Sequence, residues 1–226
     1  MQNKIIHATP ESHLLYIARV SSNQENTDPG LITYLIKQNH WSPFEMIGAC
    51  VEIETTRDIG RQVLRHRSFS FQEFSGRYAE YADLRSDRDL RFKGSTNRQG
   101  SIPAETDEQR TAAEYFGTQL MEHTRSSAAL YRNMLEAGIA PECARAVLPE
   151  GLTPTRMYMN GTLRSWIHYL RERLKLKDGY PLAQREHYDL ALSIADKLCG
   201  LYPNTFDALR RLQYIDGNAI GFALPD

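Results

Sequence analysis

Apolar residues fall into a helical rhythm over residues 11–22, where Leu14, Leu15, Ala18 and Val20 form an imperfect apolar face. The rhythm returns over residues 31–38 with Leu31, Ile32, Leu35 and Ile36; residues 23–30 between them read as a polar loop. The stretch Asn39, His40, Trp41, Ser42, Pro43 ends this helix, and Ser42, preceding a proline, favours an extended backbone. The period then changes to two. Ile47, Ala49, Val51 and Ile53 alternate with Gly48, Cys50, Glu52 and Glu54, which predicts a strand over residues 45–56. Thr55 or Thr56 is suited to cap a following helix over residues 57–65, with Asp58 in its first turn.

Residues 84–109 are rich in Arg, Asp, Gly, Ser, Asn and Pro and read as a surface excursion, with room for a short strand near residues 90–92. A long amphipathic helix follows over residues 107–137, with Gly138 placed to terminate it. Pro141 opens a short helix that runs to Leu148 and stops at Pro149. Residues 153–160 fit a strand, Asn160-Gly161 a turn, and residues 162–173 a helix. A loop over 175–180 and helices over 182–201 and 205–212 complete the chain. Helices dominate and a few strands remain to pair, which predicts an α+β fold: one mixed or antiparallel sheet flanked by long helices, in a single domain over residues 1–226.

Composition narrows the function classes. A formal net charge of -1 over 226 residues argues against a generally basic nucleic-acid binder. No apolar run approaches the length of a membrane helix, and the first residues lack the apolar stretch of a signal peptide. Cys50, Cys143 and Cys199 are widely spaced and fit free thiols in a reducing compartment, so a cytoplasmic protein is expected, with no metal site. Phosphate-binding loops, dinucleotide glycine motifs, GxSxG and HExxH are absent from the sequence. An enzyme of this composition would rely on an organic cofactor.

Against that near-neutral background, residues 57–78 carry five arginines (57, 61, 65, 67 and 77) but only Asp58 and Glu73 as acids. Arg57, Arg61 and Arg65, four apart, would share one helix face, and Arg57 and Arg61 fit a solvated ion-pairing stripe. Beyond the helix the cations mix with His66, Ser70, Ser75, Phe69, Phe71 and Phe74, a set suited to anionic groups and flat rings. Arg145 is a single charge in an otherwise apolar short helix and needs an anionic partner, from the protein or from a phosphate. On the helix over residues 162–173, Arg164, His168 and Arg171 share a face and Arg173 lies about 80–100° away.

The triplet Arg65-His66-Arg67, with Ser70, Gln72-Glu73, Ser75 and Arg77-Tyr78 following, resembles the RHR motif of the flavin-dependent thymidylate synthases. Ala18-Arg19-Val20-Ser21 and His40-x-Ser42-Pro43-Phe44-Glu45 are similar to its early elements. Ala144-Arg145-x-Val147-Leu148-Pro149 and Gly161-Thr162-Leu163-Arg164-Ser165-Trp166-x-His168, with Arg173 downstream, resemble its late ones. Met46 departs from the family, which often has histidine there, and residues 84–109 have no residue-by-residue match. The resemblance implies reductive methylation of dUMP to dTMP, with FAD as cofactor and methylenetetrahydrofolate and NADPH as co-substrates. It also implies a homotetramer with shared active sites, no nucleic-acid partner, and no cysteine nucleophile.

By the same resemblance, Ser42, Arg65, His66, Arg67, Glu73, Thr162, Leu163, Arg164 and His168 would contact FAD. Gln62, Val63, Leu64, Arg65, Glu73, Phe74, Ser75, Gly76, Arg77, Arg145 and Arg173 would hold dUMP. Arg173, facing the uracil ring, is the expected catalytic residue. Two other readings of the arginine- and phenylalanine-rich segment stay open from sequence: a nucleic-acid-binding module and a catalytically inactive homologue.

Overall fold

The computed structural model describes residues 2–22, 28–81, 83–86, 88–94, 100–177 and 180–214; parts of the expected 23–30 loop, the 84–109 excursion and the 175–180 loop lie outside these residues. In chain order the elements are β1 (Gln2–Ala8), α1 (Glu11–Ala18), α2 (Gly30–Lys37), a 3-10 turn (Ser42–Glu45), β2 (Gly48–Thr56) and α3 (Arg57–Val63). Next come β3 (Ser70–Glu73), β4 (Phe92–Lys93), β5 (Ser101–Ile102), α4 (Asp107–Glu136), α5 (Pro141–Ala144) and a 3-10 turn (Arg145–Val147). The last are β6 (Pro154–Thr162), α6 (Leu163–Arg173), β7 (Leu176–Lys177), β8 (Tyr180–Pro181), α7 (Arg185–Leu201) and α8 (Pro203–Arg211).

The main sheet has four strands in the order β1-β2-β6-β3, and β4-β5 and β7-β8 form two small ladders. The backbone bonds flanking its strands give the antiparallel sense. The Leu163 amide donates to Ile47 O at 2.8 Å at one end of the β2–β6 pair, and the Arg57 amide to Thr153 O at 2.9 Å at the other. The α+β expectation holds.

Several local expectations are corrected. Ser42 opens a 3-10 turn instead of standing extended; Pro43 sits near its start, where a missing N–H costs nothing. Asn160 and Gly161 are not a turn but part of β6, which runs through to Thr162. α3 ends at Val63, so Arg65 lies beyond the helix and off the face of Arg57 and Arg61. Thr56 occupies the position before α3, yet its hydroxyl donates to Asp58 Oδ1 and makes no side-chain cap to the backbone. β1 and β3 were not expected; both are edge strands of the sheet with few or no buried side chains.

Contacts divide the chain into two compact units. One comprises Met1–Ile53, His66–Phe71 and Tyr158–Asp226; the other comprises Glu54–Arg65 and Gln72–Met157. In the first, α7 packs on β1, α6 on α7, and α2 on α8. Its core includes Leu14, Ile32, Phe44, Trp166, Tyr169, Ile194 and Phe206, all almost fully buried. The buried carboxylate of Glu11 accepts from the Thr205 amide at 2.8 Å and the Thr205 hydroxyl at 2.7 Å, and so caps the start of α8 from another helix.

In the second unit, α4 begins with a capping box: Gln109 N–H donates to the Thr106 hydroxyl at 3.2 Å, while the Gln109 side chain accepts from the Thr106 amide at 3.3 Å. It ends at Gly138, whose φ of +80° suits glycine. The Gly138 amide donates to Leu135 O and the Ile139 amide to Met134 O, each at 2.9 Å, which is the Schellman arrangement. A cluster of Tyr81, Tyr131 and Ala144, with Phe74, Met134, Leu135, Val147 and Leu148 around it, forms a core under α4 and α5.

Candidate active site

In the first unit, β6 passes directly into α6, and this junction sets the site. Thr162 caps α6, its hydroxyl accepting from Ser165 N–H at 3.2 Å. Leu163 is fully buried, with its amide spent on Ile47, so its part is to anchor the first turn. Trp166, Ile167, Tyr169 and Leu170 are buried, while Arg164, His168 and Arg171 are exposed, as the helical spacing predicted. The backbone beneath is tight. A Cβ on Gly161 would run into the Phe69 ring, and one on Gly48 into the carbonyl of Gly161. Phe69 is itself buried, edge-on to Trp166 at 4.7 Å, so it acts as packing and not as a platform for a ligand ring.

The segment after α3 places His66 against α6. Arg173 Nε–H donates to His66 Nε2 at 2.8 Å. Guanidinium can only donate, so His66 Nε2 is the acceptor and its proton sits on Nδ1. Burial, reinforced by the Arg173 charge, pushes the His66 pKa down to about 4. The His66 ring stands edge-on to Tyr169 at 4.8 Å, and the Tyr169 hydroxyl meets His187 Nε2 at 3.2 Å. Burial and the same arginine lower fully buried His187 to about 3. Arg173 is half-buried, and no carboxylate among the described residues pairs with it. Arg67 is exposed beside this cluster in sequence, and Ser42 is exposed in its 3-10 turn.

A cavity of about 400 Å³ opens over the start of α6. Its walls offer the rings of Trp41 and Tyr214, 5.2 Å apart, the hydroxyls of Ser68 and Ser165, and the heads of Arg164 and His168. Arg164 donates to Glu45, and the Arg171 guanidinium stacks on the Tyr214 ring at 4.5 Å. Flat faces, hydroxyls and a cation together fit part of a ring-and-phosphate cofactor such as FAD. Trp41, Ser68 and Tyr214 were not assigned a role from sequence; Trp41 and Ser68 fall at unmatched positions inside matched motifs, and Tyr214 lies outside all of them.

The second unit holds most of the expected nucleotide residues. Val63 is buried in α3, Gln62 and Leu64 are half-buried, and Arg65 is exposed just past the helix. Glu73 ends β3 half-buried, its Oε1 accepting from the Thr155 hydroxyl at 2.7 Å. The Phe74 amide donates to Arg156 O at 2.9 Å, and Ser75 O accepts from the Tyr78 and Ala79 amides at 3.1 and 3.2 Å, so residues 74–79 form a fixed turn. Gly76 is buried in it, and Arg77 is exposed with its guanidinium 5.3 Å from the Tyr78 ring.

Arg145 lines a separate cavity of about 450 Å³, together with Arg57, Arg61, Tyr81 and Glu150. There Arg61 pairs with Glu150, and Arg145 is half-buried with its Nε donating to Glu142 O at 3.3 Å. Arg61 is exposed and ion-paired as expected, but its partner is Glu150 and not Glu52, Glu54 or Asp58, of which Asp58 pairs with Arg88 and Glu52 with Lys4. Arg57 instead donates through Nη1 to the Tyr81 hydroxyl at 2.7 Å. Thr155 and Tyr81 were missed because a threonine in a strand and a tyrosine in a polar stretch carry no periodic signal.

Two of the three free cysteines are held away from the thiolate form by burial. Burial raises the Cys50 thiol and pushes Cys199 up to about 11, while Cys143 is exposed on the short α5. Among the described residues there is no cluster of His, Cys, Asp and Glu able to hold a metal, and no helix long and apolar enough to cross a membrane.

The family described as thymidylate synthase complementing protein matches residues 4–204. The chain is 42% identical over 205 residues to the probable flavin-dependent thymidylate synthase of Paramecium bursaria Chlorella virus 1, covering 89% of this chain and 91% of the relative. It is 40% identical over 203 residues to the flavin-dependent thymidylate synthase of a Synechocystis species, covering 89% and 90%. Its fold is similar to that of a UMP/dUMP methylase from Streptomyces cacaoi crystallised with 5-Br UMP. That match has a TM-score of 0.78 at 27% identity and covers 95% of both chains. A second structure of that methylase, with 5-Br dUMP, gives a TM-score of 0.75.

Proposed function

Because this chain belongs to the flavin-dependent thymidylate synthase family, we propose that its two residue clusters divide the work of one reaction, the His66–Arg173 cluster serving chemistry and residues 73–77 serving the nucleotide. The chain is an enzyme, a thymidylate synthase that methylates dUMP to dTMP reductively. It uses FAD as its cofactor, with methylenetetrahydrofolate as carbon donor and NADPH as reductant. Bound FAD supplies the hydride. A nucleic-acid module gains nothing from a chain of net charge -1.

Ser42, His66, Arg67, Thr162, Arg164 and His168, with Arg65 and Glu73, hold the flavin cofactor in this reading. Leu163 contributes by anchoring the turn that presents Thr162 and Arg164. Gln62, Val63, Leu64, Arg65, residues 73–77 and Arg145 hold dUMP. A phosphate of nearly two charges suits guanidinium forks, and the buried glycine at 76 lets the backbone come close. Arg173 faces the uracil ring and stabilises charge that appears only during reaction. The enzyme works as one catalytic domain over residues 1–226, in a homotetramer with shared active sites, in the cytoplasm.

The observation that carries the assignment of Arg173 is its half-buried guanidinium, held through Nε by neutral His66 and paired with no described carboxylate. Purified protein is expected to be yellow, or to take up added FAD, and to turn over dUMP with methylenetetrahydrofolate and NADPH. Arg173→Ala is expected to lower kcat by about a hundredfold or more while retaining the flavin spectrum. A colourless protein that refuses FAD would remove the reading, and an Arg173→Ala enzyme of normal kcat would remove the role of that residue.

A further inference from the structure

Tyr81 lies outside every motif that the family resemblance matched, yet it is held from three sides. Its hydroxyl accepts from Arg57 Nη1 at 2.7 Å, its amide donates to the Tyr131 hydroxyl at 3.3 Å, and its ring packs against Phe74 at 5.2 Å. Tyr131 is fixed in turn by burial on α4, and Arg57 by the first turn of α3, where its amide donates to Thr153 O. The ring thus anchored is the wall against which Gly76 lies, since a Cβ on Gly76 would sit 2.6 Å from the Tyr81 hydroxyl oxygen. Tyr81 and Arg57 also line the cavity into which Arg145 opens. One buried phenol therefore touches the turn at residues 74–76 on one side and the Arg145 cavity on the other.

From this geometry we propose that Tyr81, held by Arg57, is a positioning residue for the nucleotide-binding turn at residues 74–76. The inference rests on the reading of that turn as part of the dUMP site. Arg57 acts on the turn through Tyr81. Its guanidinium fixes the rotation of the phenol, the phenol sets the height of the Gly76 backbone, and that backbone sets where the neighbouring amides and the Ser75 hydroxyl meet the ligand. A wall of this kind changes binding more than chemistry, because it makes no contact with the reacting atoms.

The test is steady-state kinetics of the full-length enzyme with Tyr81→Phe, Arg57→Gln and the double variant. Each single change is expected to raise KM for dUMP about fivefold, as for loss of one partly buried hydrogen bond. kcat stays within about twofold and the flavin absorbance is unchanged. The double variant is expected to be no worse than either single one, because both remove the same bond. A purely structural role would instead lower the amount of active, flavin-bearing enzyme and leave KM alone. Ser75→Ala and Arg77→Ala are the controls for the underlying reading. If they raise KM while Tyr81→Phe and Arg57→Gln leave it at the wild-type value, the positioning role is overturned. If the controls leave KM unchanged, the nucleotide reading of the turn falls first and takes this inference with it. Arg57→Gln removes only a half-exposed guanidinium, so it keeps the question open to measurement should Tyr81→Phe fold poorly.

Discussion

Glu73, which we propose serves the cofactor and nucleotide, depends on a single strand threonine for a hydrogen bond. Thr155 is almost wholly buried and points its hydroxyl at Glu73 Oε1, while Gly60 leaves the space beside that oxygen free. Replacing Thr155 by valine keeps its shape and removes the donor. Leaving a half-buried carboxylate short of one bond is expected to lower kcat/KM for dUMP about tenfold, and Thr155→Ser, which keeps the hydroxyl, is expected to restore most of it. His66 has a comparable dependence on its neighbour. Its Nε2 lone pair is committed to Arg173, so the ring cannot be protonated there without breaking the bond that orients the arginine.

At the scale of elements, the junction of β6 and α6 is tightly constrained. Gly161 lies under Phe69 and beside Gly48, so Gly161→Ala forces the Phe69 ring away from Trp166 and Tyr169. A loss of about 2 kcal/mol is expected in urea unfolding, as for an overpacked core. The same junction shows where sequence reading succeeds and where it stops. α4 and α6 were legible because burial follows one helical stripe, and Thr106, Gly138 and Thr162 mark their ends with local hydrogen bonds. Asn160-Gly161 reads as a turn because that pair favours one locally; the strand it forms instead is imposed by Phe69 and Gly48, which are far away in sequence. β1 and β3 were missed because no side chain of either is fully buried, and their alternation is between half-buried and exposed positions of mixed polarity. The basic cluster was legible as residue types, and its resemblance to a family gave those types roles. The partners of its members, Thr155 for Glu73 and Tyr81 for Gly76, come from β6 and from a polar stretch whose composition announces nothing.

For the whole molecule, half-buried His66 and buried His187 set a pH limit. His66 and His187 stay neutral in the fold at pH values where a free histidine takes up a proton, their pKa values lowered from 6.5 to about 4 and about 3. The unfolded chain therefore binds more protons than the native one between about pH 6.5 and pH 3. Their contribution to stability is complete above pH 6.5, declines as the pH falls towards 4 and then 3, and changes no further below that. Urea unfolding midpoints measured from pH 8 to pH 4 are expected to be flat at first and to fall below about 6.5. His187→Phe should shallow that fall, since it removes one of the two titrating groups.

The order in which the chain contributes to its two compact units has a consequence for synthesis. The unit made of Glu54–Arg65 and Gln72–Met157 is nearly continuous and has all its residues once the ribosome has passed Met157. The other needs Met1–Ile53 to wait for Tyr158 and everything after it. The first fifty residues, with the buried leucines of α1 and the apolar alternation of β2, therefore emerge long before their partners α6, α7 and α8 exist. During synthesis that apolar segment has to wait for residues 158 onward before it can be covered, which leaves it open to wrong contacts in the meantime.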